Sequence, residues 1–434
     1  MIMEEKFRSQ KGATLVLALL FLILFSLLGA ALMSVATVET AIADNYKVNT
    51  QVLYVAEAGI DQARENLRGT ANISTLLDNS DGGDSVLSTA TDWAALSASN
   101  DVRYINNAVL TDLTGRTQGT YTVFIKNDAA DGPSSIVDTN DTVTLLSFGR
   151  FRNAIKAVEV DVRRGAIPDF PAALTLDGHI PMPDDPGAPA PSFFPANSNP
   201  FHVDGRDGGV GGPNDKSAIG VITDDDDADV TGAIPTNRYD NYEGAGYVPD
   251  PPGPALGTPS INNVSATLAP ELTTPAGLEM IVRDITSYAT TVYNPGYPGS
   301  QSLGNIGSAS SPQIVVVNGD CVFGPADGYG ILVVRGNLTL NGNFHWNGLI
   351  LVIGQGYVNW NGGGNERIEG AMLVARSRNT TRSMSEPVGQ LLTSRGDIYF
   401  NFNGGGGNGI YYDTQALRNA NRGLPFRRIS YRLY

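Results

Sequence analysis

The chain has 434 residues, with 44 acidic against 29 basic side chains and a formal net charge of -15. That balance repels phosphates and argues against a nucleic-acid partner. A single cysteine, Cys321, excludes an internal disulfide framework, while 50 glycines and 25 prolines point to turn-rich β structure in two or three domains.

From Ala13 to Val38 there is neither charge nor proline. As a helix this run measures roughly 39 Å, more than the roughly 30 Å of bilayer hydrocarbon. Lys6, Arg8 and Lys11 precede it and Glu39 and Asp44 follow it, so the positive-inside rule keeps the stub in the cytoplasm and exports the rest. Val38, Ile42, Tyr46, Leu53, Ala56, Ile60, Ala63 and Leu67 then recur at helical spacing, with Gly69 as a stop signal. The pattern predicts one helix from Ala13 to Arg68, half for lipid and half for a domain surface. A secretory signal cut after Ala41-Ile42-Ala43 and a plain membrane anchor are the two simpler readings.

"RSQKGATLVLALLFLILFSLLGAALMS" resembles the prepilin leader of type IV pilins, above all of PilX-like minor pilins, and "LYVAEAGIDQARENLRG" resembles the stretch that closes their N-terminal helix. The resemblance covers about residues 6–69. It implies a prepilin leader at 1–12, a transmembrane and assembly helix at 13–69, cleavage by the prepilin peptidase between Gly12 and Ala13, and N-methylation of Ala13. It also implies other pilins and minor pilins as partners through the helix, inner-membrane insertion with a cytoplasmic N-terminus, and a bulk that is periplasmic or on the extracellular pilus. Leu17 departs from the pattern, because major pilins carry glutamate at that mature position. PilX-like and type II secretion K-like subunits share the lack, which suits a low-copy subunit at a tip or in an initiating complex. A secretion pseudopilin and a stand-alone anchored binding protein remain the alternatives.

Residues 70–165 read as a pilin-like α+β head. Residues 70–100 are small, polar and loop-like, whereas "GTYTVFIKND", "DTVTLLSFGR" and "NAIKAVEVDVRR" are β-rich; Val158, Val160 and Val162 alternate with Glu159, Asp161 and Arg163 as in a half-buried strand. The expectation is an antiparallel meander against the stripe of the helix. Asp128, Asp131, Asp138, Asn140 and Asp141 form a calcium candidate by ligand chemistry, with turn formation as the plain alternative. Residues 166–262 hold sixteen of the 25 prolines and read as a linker or insertion. Within them Asp224, Asp225, Asp226 and Asp227 open an acidic run that is either a second calcium candidate or a solvated loop.

Residues 263–434 begin with a helix: Thr274 as cap, Pro275 at the first turn, and Leu278, Ile281, Val282, Ile285 and Ala289 on one face. Four apolar runs then open "IVVVNGDCVFGPADGYG", "ILVVRGNLTLNGNFHWNG", "LILVIGQGYVNWNGGGNERIEG" and "AMLVARSRN", at intervals of about 17 to 22 residues. Such rungs suit a right-handed parallel β-helix, with a hairpin sandwich as the alternative. The fold class is thus mainly β with a long N-terminal helix: a pilin-like helix plus antiparallel strands, then a β-solenoid. Phe344, Trp346, Tyr357 and Trp360 are candidates for a binding surface, although strand alternation turns half of such residues inward. His179, His202 and His345 have no metal-site spacing, and "NGGGN" lacks the Lys-Ser/Thr of a phosphate loop. Nothing here assembles a catalytic set, so a structural subunit is favoured over a glycan-active solenoid. The arginine-rich end, Arg418 to Arg432, reads as a solvated cap that also pairs with the protein's own Asp-rich loops, with docking on an acidic neighbour as the alternative.

Overall fold

The computed structural model describes residues 3–68, 70, 73–77, 104–131, 137–138, 140–165, 170–181, 193–194, 201–212, 214–253, 255–402 and 408–434. They fall into two compact units, one of residues 1–64, 74–162 and 428–434, the other of residues 65–73 and 163–427.

The first unit is built on helix α1 (Met3–Arg68), which starts upstream of the expected Ala13 and runs unbroken. Its apolar residues from Leu15 to Tyr46 are 47–75% exposed, whereas Val52, Val55, Ala56, Ile60 and Ala63 have no exposure at all. The change tracks the pattern: uniformly apolar residues first, then an amphipathic stripe that packs on protein. That stripe lies on an antiparallel meander of β1 (Ile105–Thr111), β2 (Thr117–Asn127), β3 (Thr142–Phe151) and β4 (Ala154–Arg164). Tyr121 faces Gly149 and Val123 faces Ser147 across β2 and β3, and Val158, Val160 and Val162 of β4 are fully buried. Small residues bring helix and sheet together: a methyl group on Gly149 would lie 2.5 Å from the Val52 carbonyl oxygen, and one on Gly59 would lie 2.3 Å from Ser147 Oγ. The strand Arg432–Leu433 pairs antiparallel with β4, with Arg432 opposite Glu159. Most of the loop expected at 70–100 lies outside the described residues.

In the second unit, successive strands alternate between two parallel sheets. Gln313–Val317, Ala326–Val334, Phe344–Ile353 and Arg367–Arg378 lie side by side in one; Asp320–Phe323, Asn337–Asn341, Tyr357–Asn361 and Tyr399–Phe402 lie side by side in the other. Register stacks like on like: Val315, Leu332, Ile350, Met372, Leu174, Ile219 and Ile261 follow one another across the first sheet, and Leu303, Phe323, Leu340, Trp360 and Phe402 across the second. Apolar side chains from both sheets meet in one core. The expected hairpin alternative is not what these strands form, because the rung-to-rung pairings are parallel.

Within 166–262, expected as a linker or insertion, the described residues include strands of the second unit. Ala172–Asp177, Phe201–Asp204, Ser217–Val221 and Tyr242–Glu243 all join the larger sheet. They are short, and Ala172–Asp177 and Ser217–Val221 are buried throughout, so neither length nor alternation marks them in a proline-rich background.

One glycine per rung shapes the long strands. Gly330, Gly348 and Gly370 stand in register at φ +122°, +130° and +135°, and a methyl group on each would lie 2.0, 2.1 and 1.9 Å from the carbonyl oxygen of the rung before. No other residue fits there. The expected helix spans Pro275–Thr286 and stops short of Ala289, with Thr274 accepting from the Gly277 N–H at 3.1 Å and Leu278, Val282 and Ile285 buried. Its Glu279 binds Arg335 and accepts from Arg378 Nε at 2.8 Å and Ser377 Oγ at 2.9 Å, tying the helix to the strands.

Candidate functional site

Gly12 and Ala13 lie within the helical backbone of α1, and Leu17 is 60% exposed. No acid occurs between Ala13 and Glu39, so nothing in this stretch can neutralise a buried amine of a neighbouring helix. Leu19, Leu22, Ile23, Ser26 and Leu27 line a shallow apolar groove on the same exposed segment. Among the described residues one helix is long and apolar enough to cross a membrane, and it is this one.

The first acidic cluster serves the backbone. Asp128 Oδ1 accepts from the Asp131 N–H at 3.2 Å and from Asn140 Nδ2 at 3.3 Å. Asp138 accepts from the N–H groups of Asp141 and Thr142 at 3.1 and 3.2 Å, and Thr142 also donates to Asn140 at 2.8 Å. Burial, then the charges of Asp141 and Asp131, push the Asp138 carboxyl up to about 6. These are turn-forming contacts of short polar side chains.

In the second run the loop reading is corrected. Asp224–Ala233 is a helix, and Thr223 Oγ1 caps it by accepting from the Asp226 N–H at 3.0 Å. Asp226 is buried, accepts from the Ile180 N–H at 2.9 Å and sits 3.0 Å from His179 Nδ1. Asp224 accepts from Asn263 at 2.7 Å, and burial raises the Asp227 carboxyl. A helical turn points these acids in different directions and favours them at its positive end, which a loop reading misses. Among the described residues no group of three or more His, Cys, Asp or Glu side chains is arranged to hold a metal ion.

The aromatic candidates separate by strand phase. Phe344, Trp346 and Trp360 are buried, with Phe344 and Trp360 ring centroids 5.1 Å apart, so three of the four belong to the core and not to a surface. Tyr357 alone points outward. It stacks on Tyr399 at 4.3 Å with an interplanar angle of 8°, and burial together with the neighbouring Tyr399 raises its phenol. Around this pair the outer face of the smaller sheet carries Asn337, Thr339, Asn341, Asn359, Asn361 and Asn401. Asn361 donates to Asn341 and Asn401 to Asn359, each at 3.3 Å. The result is a face of amides, hydroxyls and phenols, bounded beside Asn337 by Asp320, which pairs with Arg382. Tyr399 was not among the expected residues, although "YVNWN" and "YFNF" place Tyr357 and Tyr399 at the same position before alternating residues.

Three C-terminal arginines pair with acids outside the expected Asp-rich loops, on elements of regular structure instead: Arg427 with Asp284 at 2.9 Å, Arg428 with Asp61 at 3.9 Å and Arg432 with Glu159 at 3.1 Å. His345 lies 3.3 Å from Glu369, on the outward side of the strand Phe344–Ile353. Cys321 is buried, and burial pushes its thiol up to about 12.

Residues 11–61 match the family described as PilX N-terminal. No curated protein matches the chain. Among solved structures, the crystal structure of competence-associated pilin ComZ from Thermus thermophilus is similar at 13% identity over 89% of this chain and 98% of that one, with a TM-score of 0.22 that carries no weight for the fold.

Proposed function

With a PilX-type pilin segment at residues 11–61 as the premise, we propose that this chain is a minor pilin-like structural subunit of a type IV pilus, present at low copy number at a tip or in an initiating complex. The prepilin peptidase cuts between Gly12 and Ala13, and the Ala13 amine is methylated. The exposed segment of α1 sits in the inner membrane with its basic stub in the cytoplasm, as the order of Lys6, Arg8 and Lys11 before Glu39 favours.

The observation that carries this reading is the division of α1 into an exposed apolar half and a half buried on the sheet, inside the segment that matches the family. Leu17 supports the low copy number. A bundle made only of this chain would leave each charged amine without a carboxylate in lipid, a cost that rises with every subunit added. At a tip, the amine of Ala13 meets the glutamate of a different subunit, and no later subunit requires one from Leu17.

The two parallel sheets are read as a right-handed β-helix whose Asn/Tyr face is turned toward a surface or substrate. Its work is binding, not catalysis. Quantitative immunoblotting of purified filaments tests the stoichiometry: the chain is expected far below the major subunit, and a ratio near one overturns the reading.

A further inference from the structure

The strand that closes the first unit has two unlike sides. Ser430 donates its hydroxyl to Asp161 Oδ2 at 2.6 Å, Arg432 pairs with Glu159, and the Tyr434 N–H donates to the Ala157 carbonyl at 2.9 Å. These even-numbered residues are spent on β4. Of the odd-numbered ones, Ile429 still donates its N–H to the Asp161 carbonyl at 2.8 Å, whereas Tyr431 and Leu433 are 45 and 47% exposed. In an antiparallel pair, residues bonded to one neighbour alternate with residues whose N–H and C=O groups point to the other side. Since Tyr434 bonds to Ala157, the backbone groups of Tyr431 and Leu433 point away from β4, to an edge on which no strand pairs among the described residues.

The register also fixes the face. Leu433 stands opposite Val158, whose side chain lies under α1, and the Tyr431 hydroxyl donates to Glu57 of α1 at 3.1 Å. The exposed row therefore runs beside the helix. On α1, Tyr54 lies one turn before Glu57 on the same side and is 59% exposed; Tyr46, two turns further back, is 75% exposed. Past Tyr46 the row merges with the exposed apolar segment that begins at Leu15. Tyrosines with aliphatic neighbours are the composition of a protein interface, and a charged outer rim is what an edge strand otherwise uses to stay unpaired.

We infer that this row is the docking surface for the globular head of a different pilin-like subunit whose helix lies beside α1. The inference rests on the function proposed above. Continuity argues for the occupant: a neighbour bound along Leu15–Tyr46 has its own head at the height of Tyr54, Tyr431 and Leu433.

The test places a thiol-reactive photocrosslinker on single cysteines of the full chain in its host membrane. Cys321 is 1% exposed and stays unlabelled. Leu433→Cys and Tyr431→Cys probe the row, Leu22→Cys probes the helix, and Leu113→Cys, on the exposed turn between β1 and β2, is the control. An unchanged melting curve certifies each variant as folded. Capture of a different pilin-like chain from Leu433 and Tyr431, about tenfold above Leu113, is the expected result. Capture from Leu22 with Leu433 at the Leu113 level overturns the docking surface and leaves the assembly role standing. No pilin-like chain captured from Leu22 or Leu433 overturns both. Capture of a second copy of this chain, or of lipid alone, at Leu433 overturns the inference.

Discussion

Trp360 donates its indole N–H to Glu366 across 2.9 Å, and neither residue is exposed. Glu366 also accepts from the Gly363 N–H at 3.2 Å, so one buried carboxylate closes the glycine loop onto the aromatic core. Glu366→Ala strands both donors and is expected to cost about 2–4 kcal/mol, while Glu366→Gln, which keeps an acceptor, costs about 1 kcal/mol. Denaturant unfolding of the two variants distinguishes them; equal losses contradict the role.

Gly348 is the middle member of the glycine row. Gly348→Ala forces a methyl group to within 2.1 Å of the Gly330 oxygen at a φ of +130°, and about 2–5 kcal/mol of destabilisation is expected. Gly304→Ala, with no atom within 4 Å of the added carbon, is the neutral comparison. Thermal melts of the pair give the answer.

Asp177 is fully buried beside Arg395, and burial, only partly offset by that guanidinium, pushes its carboxyl up to about 6. A carboxyl raised above its ordinary value binds its proton more tightly when folded. Its ionisation therefore costs stability as pH rises from about 4 through 6, and the cost is absent below that range. The stability of Asp177→Asn relative to the parent should improve across that window and be level above it. A constant difference from pH 4 to 7 contradicts the assignment.

The buried stripe of α1 sets where the chain can be shortened. A chain beginning at Asn45 loses the exposed apolar run but keeps Val52 to Ala63 over the sheet, and is expected to be monomeric without detergent. One beginning at Thr70 uncovers Val123, Leu145, Val158 and Val160 and is expected to aggregate. Size-exclusion chromatography of both compares them directly.

What was legible in the sequence had a period. The stripe from Val38 to Leu67, the alternation of Val158 to Val162, the helix face from Leu278 to Ile285 and the returning apolar runs all repeat at the spacing of the element they form. The strands within 166–262 were hidden because their partners lie far along the chain: Leu174 pairs with Met372 and Ile219 with Leu174. The Asp224–Asp227 run was obscured by its charge, although Thr223 and Asp226 together have capping-box spacing. The phase of the aromatic row was readable after all, since His345 separates the buried Phe344 and Trp346 and Asn359 separates the buried Val358 and Trp360.

The central claim is that this chain is processed and assembled as a pilin-like subunit, and the mature N-terminus tests it most directly. Mass spectrometry of the protein recovered from its host membrane should find a chain that begins at Ala13 with a methylated amine. A chain that begins at Met1 or at Asp44 contradicts the account.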